Sequence, residues 1–206
     1  MTATLIELAR AVLTPVDAPA SFVSSQVIGP DLDEDPGETD EWIALDPGVA
    51  RRMVGGGAAA VLRVEAAELA MAPRLAGLFL EVVLRGDDRA AATDIARALD
   101  AGAPVRALLA SGPTGIDAYR AAACARHVLG TRVPIRVRWD DVLDCKGAAL
   151  ALSFGADELA GPLAAPPLRI KLAQVGGPPE DSGRPSPAYV ESLIRAAGRL
   201  PDRRRR

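Results

Sequence analysis

From Ile43 onward, short apolar runs rich in Val and Leu alternate with Ala-rich segments of helical length. That alternation restricts the chain to βαβ units on a parallel sheet. Strands are expected at 59–64, 78–84, 105–110, 133–139 and 158–161, and helices at 47–54, 66–74, 87–101, 114–129 and 142–154. The punctuation agrees with this reading. Asp46-Pro47 has the form of an N-cap followed by proline in the first turn. Gly102, Gly130 and Gly155 stand where helices should stop. About five strands are countable, whereas a closed (β/α)₈ barrel needs eight and about 250 residues. The expectation is an α/β fold of parallel-sheet βα repeats, an incomplete or shortened TIM-barrel-like domain. An open doubly wound sheet is the alternative.

The flanks read differently. Leu5, Leu8, Val12 and Leu13 recur at helical spacing before Pro15 and Pro19. Gly29 to Glu41 is dense in acids, Pro and Gly. Residues 1–42 are therefore expected to be an N-terminal helix plus an acidic Pro/Gly linker, and 43–163 the barrel-like domain. Residues 164–206 are expected to be a Pro-rich extension, a closing helix over 188–197 and a basic tail at Arg203–Arg206. Aromatic residues make up only 3% of the chain, so its core must be built from Ala, Leu and Val. A net charge of −3 gives no general attraction to nucleic acid. All but two of the 24 basic residues are Arg, and Asn is absent, so a lone Arg carries little functional weight. MTATLIELARAVLTP lacks a basic n-region followed by an apolar h-region, and no apolar run reaches bilayer-spanning length. The expectation is a soluble cytoplasmic protein with neither a nucleic-acid nor a membrane partner.

In parallel sheets, ligands sit at the C-terminal ends of strands. Those ends are expected at Glu65, Arg85–Asp87, Ser111–Thr114, Arg138–Asp141 and Glu158. Asp140, Asp141 and Glu158 are the candidate acid/base carboxylates, provided at least two of them converge. Arg138, Trp139, Ser111 and Thr114 are the candidate ligand-binding residues, with Trp139 as a stacking wall. The competing reading makes Asp140 or Asp141 the N-cap of the next helix, and Thr114 a turn and cap. His127 stands where a helix dipole favours a cation. One His and two Cys are too few for a zinc site. Phosphate-cradling and nucleophile-elbow motifs are absent, and the residues by themselves imply no metal or cofactor.

Three blocks carry a resemblance. They are GPTGIDAYRAAACARHVLGTRVPIRVRW (Gly112–Trp139), SFGADELAGP (Ser153–Pro162) and IRAAGRLPDRR (Ile194–Arg204). In order and character they resemble the C-terminal part of the radical S-adenosylmethionine (SAM) group containing aminofutalosine synthase, dehypoxanthine futalosine cyclase and deazaflavin (FO) synthase. The resemblance covers about residues 112–204 and implies a barrel's final quarter. In that family a CxxxCxxC loop holds a [4Fe–4S] cluster, which needs thiolate ligands. Here only Cys124 and Cys145 exist, each in an expected helix. The resemblance thus implies a degenerate, cluster-less relative that carries out no radical chemistry alone. It would be a pseudoenzyme or partner subunit in menaquinone (futalosine) or related cofactor biosynthesis. Its partner would be a complete radical-SAM enzyme or a complementary half-barrel chain. A small cluster-free acid/base enzyme and a scaffold protein without a ligand site are the alternatives.

Overall fold

The computed structural model describes residues 18–28, 39–69, 77–164 and 184–203. Its strands are β1 (Pro19–Ile28), β2 (Glu41–Ala44), β3 (Ala60–Glu65), β4 (Phe79–Arg85), β5 (Val105–Ser111), β6 (Ile135–Arg138), β7 (Glu158–Gly161) and β8 (Leu200–Arg203). Helices α1 (Pro47–Gly55), α2 (Arg89–Asp100), α3 (Gly115–Leu129), α4 (Cys145–Leu150) and α5 (Pro187–Ala196) fall between them. Each of these helices starts at an Asp, Thr or Ser whose side chain accepts from the backbone N–H three residues on. The side chain thereby satisfies one of the orphan donors of the first turn.

Every strand pairing is parallel, and β1 to β7 form a closed ring. Closure depends on β1. One edge of β1 pairs with β7 over Ser21–Ser24. Its other edge is shared end to end, with β8 against Pro19–Phe22 and β2 against Ser25–Ile28. The fold is therefore α/β with a closed, parallel, seven-stranded barrel and an eighth strand set against the lower half of β1. It is not an open doubly wound sheet. The sheet also runs across both expected domain boundaries. β1 lies within the stretch read as helix and linker, β2 straddles residue 43, and β8 lies in the stretch read as extension and tail. The expected N-terminal helix, most of the acidic loop and most of the Pro-rich segment lie outside the described residues.

Strand alternation divides the interior into two layers. Phe22, Leu62, Val64, Leu80, Val82, Leu84, Leu108, Ile135, Val137 and Leu159 face outward and pack with the helices into one apolar cluster. The opposite face lines the lumen, and there the centre is ionic. Arg136 is fully buried and is surrounded by three buried glutamates from three other strands. Its Nε donates to Glu158 at 2.7 Å, and its Nη1 lies 2.7 Å from both Glu81 and Glu41. Arg63 donates to Glu81 at 2.6 Å, and Ser21 donates to Glu158 at 3.2 Å. A β-bulge between Leu80 and Glu81 leaves Arg106 without a register partner in β4, and Arg106 reaches Glu41 at 3.2 Å.

Burial on its own would raise the Glu81 carboxyl. The surrounding Arg136, Arg63 and Arg138 outweigh burial and hold it below the ordinary value. A carboxylate depressed in this way stabilises the fold fully above the unfolded-state pKa, and the contribution is lost as pH falls through the folded value. Glu81→Gln should therefore cost about 3 kcal/mol at neutral pH, because one side of a buried pair is removed while Arg136 keeps two partners. Urea unfolding followed from pH 7 downward should show the gap to the parent narrowing as Glu81 becomes protonated. A gap independent of pH would contradict an ionised Glu81.

Candidate functional site

The C-terminal mouth of the barrel brings together the ends of β3, β4, β5 and β6. Arg138 is the buried anchor, only 3% exposed. Its Nη1 donates to Ser25 Oγ at 2.7 Å and its Nη2 to the Ser25 carbonyl at 3.3 Å. The rest of the fork grips Asp140, with Nε to Oδ1 at 2.8 Å and Nη2 to Oδ2 at 2.7 Å. A bidentate pair of this kind fixes the carboxylate's orientation as well as its position. Asp140 is thereby held at the rim with its side chain 30% exposed. Next to it, Asp141 accepts from the buried Ser111 hydroxyl at 2.7 Å. Beside Ser111, its register partner, Arg85 pairs with Glu65 at 2.7 Å. The Glu65 hydrogen bond raises the Arg85 pKa, partial burial opposes this, and the charges of Glu65 and Asp141 raise it further. The mouth is thus a chain of complementary pairs, Glu65–Arg85, Asp141–Ser111 and Asp140–Arg138–Ser25.

This arrangement sorts the residues expected from sequence. Arg138, Ser111, Asp140 and Asp141 meet at the mouth. Neither Asp140 nor Asp141 caps the following helix. That helix begins later than expected, and its cap is Asp144, which accepts from Gly147 N at 2.7 Å. Thr114 caps α3 and donates to Asp117 at 2.6 Å, so its hydroxyl is used locally. Two candidates lie elsewhere. Glu158 is the first residue of β7, not its C-terminal end, and its carboxylate is locked onto Arg136 in the lumen. Trp139 is no stacking wall at the mouth. It belongs to the outer apolar cluster, and its indole N–H donates to the Pro162 carbonyl at 3.1 Å. Gly161, at φ +150°, makes this possible, since a Cβ there would sit 2.5 Å from Trp139 Cε2. Of the three candidate carboxylates, then, Asp140 and Asp141 stand at the rim, each on its own partner, and Glu158 lies in the lumen.

The lumen ion pairs were not singled out from sequence, although a signal existed. VLRVE, FLEVV and IRVR each place a charge inside an apolar strand, and strands of a parallel sheet are covered on both faces. A charge at such a position has to find a buried partner.

The thiols do not fit an iron–sulfur cluster. Cys124 is 1% exposed and packs in the cluster between α3 and the sheet. Cys145 opens α4 and packs against the same cluster. Both therefore belong to the outer layer, away from the mouth and lumen. Burial pushes each thiol up to about 11, the opposite of the depressed pKa that a ligand thiolate needs. Among the described residues, no group of three or more His, Cys, Asp or Glu side chains could hold a metal ion. No helix among them is long and apolar enough to cross a membrane. His127 is exposed in the last turn of α3. No protein-family model matches the chain, and neither does any curated protein sequence.

A thiol with a pKa near 11 is about a thousandth ionised at pH 8. Ellman's reagent should therefore label the folded protein far more slowly than a free thiol, with half-buried Cys145 reacting before Cys124. Fast labelling of Cys124 without denaturant would contradict its place between helix and sheet.

Proposed function

We propose that this chain is a cluster-less, radical-SAM-like barrel that performs no radical chemistry of its own. It would serve as a non-catalytic paralogue or partner subunit in menaquinone (futalosine) or related cofactor biosynthesis. The observation that carries the cluster-less part is the position of the thiols. Both stand in the outer layer, on helices, with raised pKa values. No strand end presents a cysteine to the mouth, where such a cofactor would have to meet a substrate. The pathway part rests on the resemblance of residues 112–204 alone.

The barrel's closure narrows the kind of partner. A complementary half-barrel would need an open flank of the ring to complete, and the β1–β2 pairing leaves none between β1 and β7. The reading therefore favours a complete radical-SAM enzyme as partner, docking on the outside of a finished barrel.

Anaerobic reconstitution with iron and sulfide, followed by iron analysis and electron paramagnetic resonance of the reduced protein, tests this reading. The expected result is sub-stoichiometric iron, no [4Fe–4S] signal and no heat on titration with SAM. A stoichiometric cluster signal that Cys124→Ala or Cys145→Ala removes would overturn it.

A further inference from the structure

A cleft of about 370 Å³ opens at the C-terminal ends of β3 and β4, beside the first turn of α2. That is within the size range of small-molecule sites. Val83 and the side chains of four alanines give it apolar surface, and its polar groups are Glu65, Arg85, Asp88 and Asp94. Two of these are committed to the helix. Asp88 accepts from Ala91 N at 2.9 Å, and Asp94 holds Arg97 at 2.6 Å. Glu65 and Arg85 face each other as an ion pair whose side chains are 48% and 58% exposed. The pair is made fork to fork, Nη2 to Oε1 at 2.7 Å and Nε to Oε2 at 3.3 Å, but with both side chains so exposed water competes for it and screens it. A ligand carrying both charges can therefore take its place with little loss.

We propose that this cleft binds a small zwitterion of the aliphatic amino-acid type, inserted into the Glu65–Arg85 pair. The ligand carboxylate takes the planar fork of Arg85, which matches it in a bidentate manner. The ligand ammonium takes Glu65, so neither protein charge is left without an opposite. The alanine walls and Val83 receive a short aliphatic side chain. The two further acids, Asp88 and Asp94, weaken a ligand that is only an anion, and Arg85 weakens one that is only a cation. This site goes beyond the accessory role proposed above and does not depend on it, since no thiol or iron takes part.

Calorimetric titration of the whole protein with L-valine and L-leucine tests the assignment, with isovalerate and isobutylamine as single-charge analogues. At least one amino acid should bind at least about tenfold tighter than either analogue, a difference of about 1.4 kcal/mol. Glu65→Gln and Arg85→Gln should each weaken that binding by about tenfold. Both side chains are largely exposed, so the melting temperature should stay close to that of the parent. Three results would overturn the proposal. One is no binding of either amino acid at about 10 mM, well above the 1 mM scale of weak complexes. Another is isovalerate or isobutylamine binding as well as the amino acid. The third is amino-acid binding that both substitutions leave intact. Iron reconstitution reads none of these outcomes, so the two proposals fail separately.

Discussion

Arg136 and its three glutamates are the interaction on which the rest of this barrel depends. Taking one guanidinium and three carboxylates out of water costs several kcal/mol for each ion, and only close, well-oriented pairing offsets it. The pairing comes from four separate strands, β2, β4, β6 and β7. If the ring opened between any of them, at least one buried charge would lose its partner. That is a stronger demand for one register than an all-aliphatic lumen would make, because aliphatic side chains tolerate slippage and repacking. The network extends through Arg63, Arg106 and Ser21, so all seven ring strands are tied to the same centre. The outer face needs only apolar volume, and it is filled largely by alanines that let helices lie close to the sheet.

The rhythm from β3 to β7 was legible because each element there is fixed locally. An apolar run, an Asp or Thr cap and a glycine stop are enough to mark it. The three strands that escaped notice are those whose identity is not local. β1 reads PASFVSSQVI, with three serines and a glutamine among the apolar residues. Ser21 and Ser25 are there because they bond Glu158 and Arg138, which are distant in sequence. β2 has only four residues and opens on a glutamate whose burial is compensated by Arg136 and Arg106, both distant in sequence. β8 contains Pro201 and, among the described residues, pairs along one edge, against β1, so it lacks the apolar pattern of a covered strand. Counting strands by hydrophobic pattern therefore undercounts a barrel whose lumen is charged, and the ring looked incomplete when it was closed.

The same reasoning explains which parts of the candidate site could be read in advance. Arg138, Asp140, Asp141 and Ser111 follow from topology alone, because strand ends in a parallel sheet gather at one mouth. Trp139 and Glu158 failed for a reason of phase. Side chains alternate along β6, so Trp139 must point opposite to Arg138, into the helical layer. Glu158 pairs in register with Arg136, one inward position below Arg138. A two-residue period applied from Arg138 would have excluded Trp139 from the mouth. Register with β6, which no local signal supplies, was needed to put Glu158 deep in the lumen.

Lumen and mouth use the same residue types to opposite effect, and burial decides which of them can serve a ligand. In the lumen the ions are sealed from water, so their mutual attraction is strong and any exchange of partner would leave a charge uncompensated. These pairs can hold a shape but cannot readily trade contacts. At the rim, water screens the Glu65–Arg85 pair, and Asp140 and Asp141 are held from beneath by Arg138 and Ser111 while their outer sides stay wet. Groups positioned by buried partners yet open on one side meet an incoming molecule already oriented, and they surrender little when it arrives. A closed barrel with a rigid ionic centre thus confines adaptable chemistry to its C-terminal mouth.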